Sequence, residues 1–128
     1  MEAVRVLAVD DQEVFLRVAR SLIAATEDFE QVGEASSGAE ALVLAAGLRP
    51  DLVLLDVRMP EMDGLETARR LEEVAPDAVV VLISVEPVPE LPASVASAGA
   101  AAYVRKQELN PRRLQELWQE HGQAPARR

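Results

Sequence analysis

Cysteine is absent from the 128-residue chain, which excludes disulfides and thiolate metal sites and fits a reducing, cytoplasmic setting. Long hydrophobic runs are absent too. No stretch approaches the roughly 20 apolar residues needed to span a bilayer, and Met1-Glu2 opens no signal peptide. Basic charge is scarce: 13 Lys and Arg face 22 Asp and Glu, a formal net charge of −9. Neither nucleic acid nor an anionic membrane would attract such a surface, so direct binding to either is not expected. Hydrophobic residues, by contrast, make up 49% of the chain. That is enough for a folded core rather than a disordered tail, and the length fits one compact domain.

Apolar runs alternate with helical patterns from end to end. Val4–Val9 reads as a buried strand. Val14, Phe15, Val18, Leu22 and Ile23 then recur at helical spacing, and residues 31–35 read as a second strand. Ser37-Gly38 opens a helix with Ala41, Leu42 and Ala45 on one face, ended by Gly47 before Pro50. Residues 51–56 form a third strand, followed by a turn and a helix carrying Leu65, Ala68, Leu71 and Glu72. Residues 79–83 are β-branched almost throughout and mark a fourth buried strand. A short alanine-rich helix leads to the last strand, 101–104. Asn110-Pro111 supplies an N-cap and a first-turn proline for a final helix with Leu114, Leu117 and Trp118 on one stripe. Residues 1–121 are thus expected to form one domain, with 122–128 a C-terminal tail or the start of a linker.

Five strands alternating with five helices predict an α/β domain, an open parallel sheet covered on both faces. Right-handed crossovers place every strand's C-terminal end along one edge, where ligands bind. Three carboxylates arrive there: Asp10-Asp11 closes the first strand and Asp56 closes the third. Clustered carboxylates repel one another, and each resists ionising beside its neighbours. A fold keeps such a cluster for a hard cation, or because one member is used chemically. Adjacent acids at a strand end are ordinarily just solvated, but Asp56, ending another strand on the same edge, favours a Mg²⁺ site. Ser84 ends the fourth strand and Lys106 follows the last, so both converge on the same edge. Residues 33–38 mimic a phosphate-loop spacing, but Ala39-Glu40 stands where Lys-Ser/Thr is required, and that reading is rejected.

Asp10-Asp11, Asp56, Met59-Pro60-Glu61-Met62-Asp63-Gly64, Ser84, Gly99-Ala100, Tyr103 and Lys106 form an ordered set covering nearly the whole chain. With that set the chain resembles the receiver domain of a bacterial two-component response regulator, and most of all the receivers that precede a helix-turn-helix output domain. The resemblance implies a flavodoxin-like (βα)5 doubly wound sheet with strand order 2-1-3-4-5. It implies that Asp56 becomes a 4-aspartylphosphate, taking its phosphoryl group from a sensor histidine kinase. It also implies that Asp11 and Asp56 bind Mg²⁺ directly, that Asp10 does so through water, and that the backbone carbonyl of Arg58 adds a ligand. Lys106 and Ser84 would hold the phosphoryl oxygens. Ser84 and Tyr103 would shift on phosphorylation, altering the surface of the fourth helix, last strand and last helix. That surface would meet an output domain, a downstream protein, or a second copy in a homodimer. Such a domain is not an enzyme toward other substrates; it catalyses only its own phosphorylation and dephosphorylation.

Three departures from the family pattern carry expectations of their own. Gln107 stands where proline usually follows the lysine. A cis bond without proline costs about 2.5–4 kcal/mol, so a trans Lys106–Gln107 peptide and a locally shifted loop are expected. Val85 replaces the usual alanine after the site hydroxyl and should narrow access to the phosphoryl group. Pro87, Pro89 and Pro92 restrict the next connection and predict a stiff loop before a short fourth helix. Two other classes stay open. One is a pseudo-receiver, an interaction module not regulated by phosphorylation, for which Val85 and Gln107 speak. The other is a Mg²⁺-dependent aspartyl-phosphate phosphohydrolase, which would often carry a second Asp where Arg58 stands.

Overall fold

The computed structural model describes residues 3–86 and 97–122. Five strands, β1 (Val4–Val9), β2 (Phe29–Ala35), β3 (Leu52–Asp56), β4 (Val79–Ser84) and β5 (Ala102–Arg105), form one sheet. Their order is β2-β1-β3-β4-β5, as expected, and every neighbouring pair is parallel. Four helices accompany them among the described residues: α1 (Glu13–Ala24), α2 (Gly38–Leu48), α3 (Gly64–Val74) and α4 (Pro111–His121). The proline series and most of the alanine-rich helix expected between β4 and β5 lie outside the described residues, as does the tail from 123 onward. Among the described residues no helix is long and apolar enough to cross a membrane.

The near-continuous apolar strands are explained by burial on both faces. Successive side chains of a strand point to opposite sides. Val4, Val6 and Ala8 of β1, Leu52 and Leu54 of β3, and Val81 and Ile83 of β4 therefore pack with Phe15, Leu16, Ala19 and Ile23 of α1 and Leu114 and Leu117 of α4. Their alternates, Leu7, Val9, Val53, Leu55, Val80 and Leu82, pack with Ala41 and Ala45 of α2 and Ala68 and Leu71 of α3. Each such fully buried aliphatic side chain contributes roughly 1.5–3 kcal/mol, so the three central strands dominate the stability of the sheet. They also make it a rigid base for whatever their ends carry.

Local signals set the helix starts. Ser37 accepts from the Glu40 N–H, Asp63 from the Glu66 N–H, and Asn110 from the Arg113 N–H, so three of the four helices begin at a side-chain cap. Four expectations need correction. Val14 and Val18, expected with Phe15 and Ile23, are 65% and 54% exposed. The buried stripe is centred on Phe15, Ala19 and Ile23, and a residue one step earlier is rotated about 100° away from it. Nor does Gly47 end α2. The helix runs to Leu48, and Arg49 takes the left-handed position at φ 50°. The Arg5 guanidinium makes this end possible by donating to the carbonyls of Leu48 (2.8 Å) and Arg49 (2.9 Å), which the helix leaves without partners. Strand β2 begins two residues before the expected 31, and β5 lies one residue later than expected.

Candidate functional site

The C-terminal ends of β1, β3, β4 and β5 bring Asp10, Asp56, Ser84 and Lys106 to one edge. Val9 pairs with Leu55 and Asp56 with Ile83, so the β1 and β3 ends are level, and Ser84 lies one step beyond Asp56. Asp10 is fully buried and Asp56 is 5% exposed, whereas Asp11 is exposed. One carboxylate oxygen from each of the three lies within 4.8 Å of the others. Lys106 reaches over them: its Nζ is 2.6 Å from Asp10 Oδ2 and 3.6 Å from Asp56 Oδ1. The same ammonium stands 4.5 Å from the centroid of the Phe15 ring, a cation–π contact that holds it from the α1 side. The sequence reading missed this role for Phe15, which nothing separates from an ordinary core aromatic.

Electrostatics follow from that geometry. Burial, reinforced by the Asp10 charge and to a smaller extent by Asp11, pushes the Asp56 carboxyl from an ordinary 3.8 up to about 6, with Lys106 opposing. Asp10 Oδ1 accepts from the Gln12 N–H at 2.8 Å. Its buried Oδ2 has no hydrogen bond beyond the Lys106 ion pair. A convergent set of hard carboxylate oxygens, with buried Asp10 Oδ2 met only by the Lys106 ammonium, fits a cation such as Mg²⁺ and does not suit a soft metal.

The loop after β3 is drawn tightly onto the site. The Gly64 N–H donates to the Val57 carbonyl at 2.8 Å, and Val57 N–H donates to Ile83 at 3.0 Å. A Cβ on Gly64 would stand 2.4 Å from the Asp56 carbonyl oxygen and 2.7 Å from Val57 Cα. Gly64 therefore lets α3 start against the backbone of Asp56, a requirement beyond the turn chemistry that the sequence suggested. Arg58 lies in this loop, and its guanidinium pairs with Glu86 at 2.5 Å. It offers no carboxylic acid for acid/base work. The Lys106–Gln107 peptide is trans, as expected, and the chain there turns through a short 3₁₀ helix, Lys106–Glu108. Val85 is 60% exposed on the loop after β4. Tyr103 packs half-buried on the α2/α3 side of the sheet, on β5 three residues before Lys106.

Family membership is shown by comparison as well as by build. Residues 6–119 match the response regulator receiver domain, and the chain belongs to that family. Among curated proteins it is 37% identical over 105 residues to protein-glutamate methylesterase/protein-glutamine glutaminase 2 of Methanospirillum hungatei JF-1, covering 80% of this chain and 30% of that protein. It is 40% identical over 103 residues to response regulator GacA of Pseudomonas viridiflava, covering 80% and 48%. The chain thus spans less than half the length of either relative. The signal receiver domain of a NarL response regulator from Mycobacterium tuberculosis is similar to it at TM-score 0.85 and 30% identity, covering 94% of this chain and 100% of that one.

Proposed function

We propose that the domain is a phosphoryl-accepting signalling switch in which Asp56 takes a phosphoryl group from the phosphohistidine of a sensor histidine kinase. One observation carries this reading: a lysine ammonium bridges two buried carboxylates at the C-terminal edge, where a third carboxylate joins them. With its carboxyl at about 6, Asp56 is largely ionised at neutral pH and retains the nucleophilicity of a raised carboxylate. An Asp56 oxygen attacks phosphorus while the phosphorus–nitrogen bond breaks, and the bond's electron pair returns to the donor imidazole. Mg²⁺, held by Asp11, Asp56 and the Arg58 carbonyl with Asp10 acting through water, would screen the phosphoryl oxygens from the attacking carboxylate. Lys106 holds a phosphoryl oxygen in the product, exchanging part of its contact with Asp10 for that charge. The Ser84 hydroxyl supplies a further hydrogen bond. Water later attacks the same phosphorus, which returns free carboxylate and inorganic phosphate, so no separate substrate is turned over.

The output is a change of surface, with Ser84 and Tyr103 moving to report the phosphoryl group. Residues 1–121 form the switch, and 122–128 serve as a tail or linker. The reader of the switch is an output domain or a downstream protein in the cytoplasm, and the charge of −9 leaves nucleic acid and membrane contacts to others. Edge strand β5 with α4 offers a face for a second copy. Acetyl phosphate tests the core of this reading. Intact mass should rise by one phosphoryl group with Mg²⁺ and not with EDTA, and Asp56→Asn should gain none. Equal labelling of the variant would sink the assignment.

A further inference from the structure

Gln107 does more than stand where a proline was expected. Its Nε2 donates to the Val85 carbonyl oxygen at 3.1 Å, joining the loop after β5 to the loop after β4. The N–H of that same peptide unit, belonging to Glu86, donates to Ser84 Oγ at 3.2 Å. A trans peptide is planar, with its carbonyl and N–H directed to opposite sides. One rigid plate is therefore pinned at both ends, by Gln107 on its carbonyl and by Ser84 on its N–H. A rotation of this plate that followed Ser84 would draw the Val85 carbonyl away from Gln107. Ser84 is buried, so its oxygen cannot readily exchange this partner for water. The Arg58–Glu86 ion pair touches the same segment, but both side chains are exposed and such a pair adds little by itself.

We infer that Gln107 is a positioning residue for Ser84: through the 85–86 peptide it holds the hydroxyl in a resting orientation, and it must let go before Ser84 can follow a phosphoryl group on Asp56. This rests on the proposed role of Asp56 and adds a specific restraint to it. Proline at position 107 could not act this way, because its side chain has no donor. One exposed hydrogen bond of this kind biases the equilibrium toward the resting state by about two- to tenfold.

The test uses the full chain with Mg²⁺ and beryllofluoride as a phosphoryl mimic, in wild type, Gln107→Met, Ser84→Ala and the double variant. Methionine keeps the length of glutamine without its donor, and Gln107 is exposed, so folding is not at stake. Calorimetry should show Gln107→Met binding the mimic about two- to tenfold more tightly than wild type. The gain should vanish in the Ser84→Ala background. Without the mimic, the Glu86 amide of Gln107→Met should lose hydrogen-exchange protection, a readout independent of binding. Equal or weaker binding by Gln107→Met, or the same gain with and without Ser84, would overturn this inference alone. Failure of the wild type to bind the mimic would overturn the proposed function and this inference with it.

Discussion

Asp56→Asn tests the electrostatics of the site through stability rather than through phosphorylation. Raising the carboxyl from 3.8 to about 6 makes its ionisation in the folded chain cost about 3 kcal/mol more than in the unfolded chain. The folded state holds the proton more tightly. Its stabilising contribution is therefore complete below about pH 4 and is lost as the pH rises through about 6. Asparagine fills nearly the same volume and carries no charge, so the variant escapes that loss. Urea unfolding in EDTA should find Asp56→Asn more stable than wild type by about 2–3 kcal/mol at pH 8. Its advantage should shrink by about 2 kcal/mol at pH 4.5, where the folded wild type is already protonated. Mg²⁺ should narrow the gap at pH 8, because it stabilises the ionised trio. A wild type equal to or more stable than the variant at pH 8 without metal would refute the claim that burial and Asp10 strain this carboxylate.

Other variants read separate parts of the site. Lys106→Met leaves the buried Asp10 charge without its 2.6 Å partner and should cost about 3 kcal/mol in urea unfolding without metal. A loss below about 1 kcal/mol would mean that the pair is solvated. Gly64→Ala places a Cβ against the Asp56 carbonyl and should cost about 1–3 kcal/mol. A crystal structure should then show the loop after β3 displaced, and an unmoved loop at full stability would contradict the close-approach argument. Asp11→Ala removes an exposed charge, so stability should hold while calorimetry finds Mg²⁺ binding greatly weakened; unchanged affinity would count against the metal site.

Much of this architecture is legible in the sequence for a physical reason. Parallel strands buried on both faces leave continuous apolar runs, and their ends are marked by residues too polar to continue them, so Asp10, Asp56 and Ser84 announce both the strand ends and the site. The order of the strands is a different matter, since only the resemblance implies it and no run of residues encodes it. What the sequence concealed lies in cross-chain geometry. Val14 and Val18 share helical spacing with the core stripe yet fall to one side of it. Gly47 reads as a helix end because glycine is the usual stop signal, whereas the guanidinium that caps the true end, that of Arg5, sits 43 residues from Leu48. The Phe15 ring against Lys106, the backbone approach at Gly64, and the pinning of the 85–86 peptide by Gln107 likewise depend on which loops meet in space. No local pattern encodes such meetings.

The central claim is that Asp56 alone accepts the phosphoryl group. Borohydride reduces an acyl phosphate to the alcohol, so it converts a phosphorylated aspartate to homoserine and leaves free carboxylates untouched. Treating the chain with acetyl phosphate and Mg²⁺, trapping with borohydride and mapping the peptides should find homoserine at position 56 and nowhere else. Homoserine at position 10 or 11, or none at position 56 after stoichiometric labelling, would contradict the account.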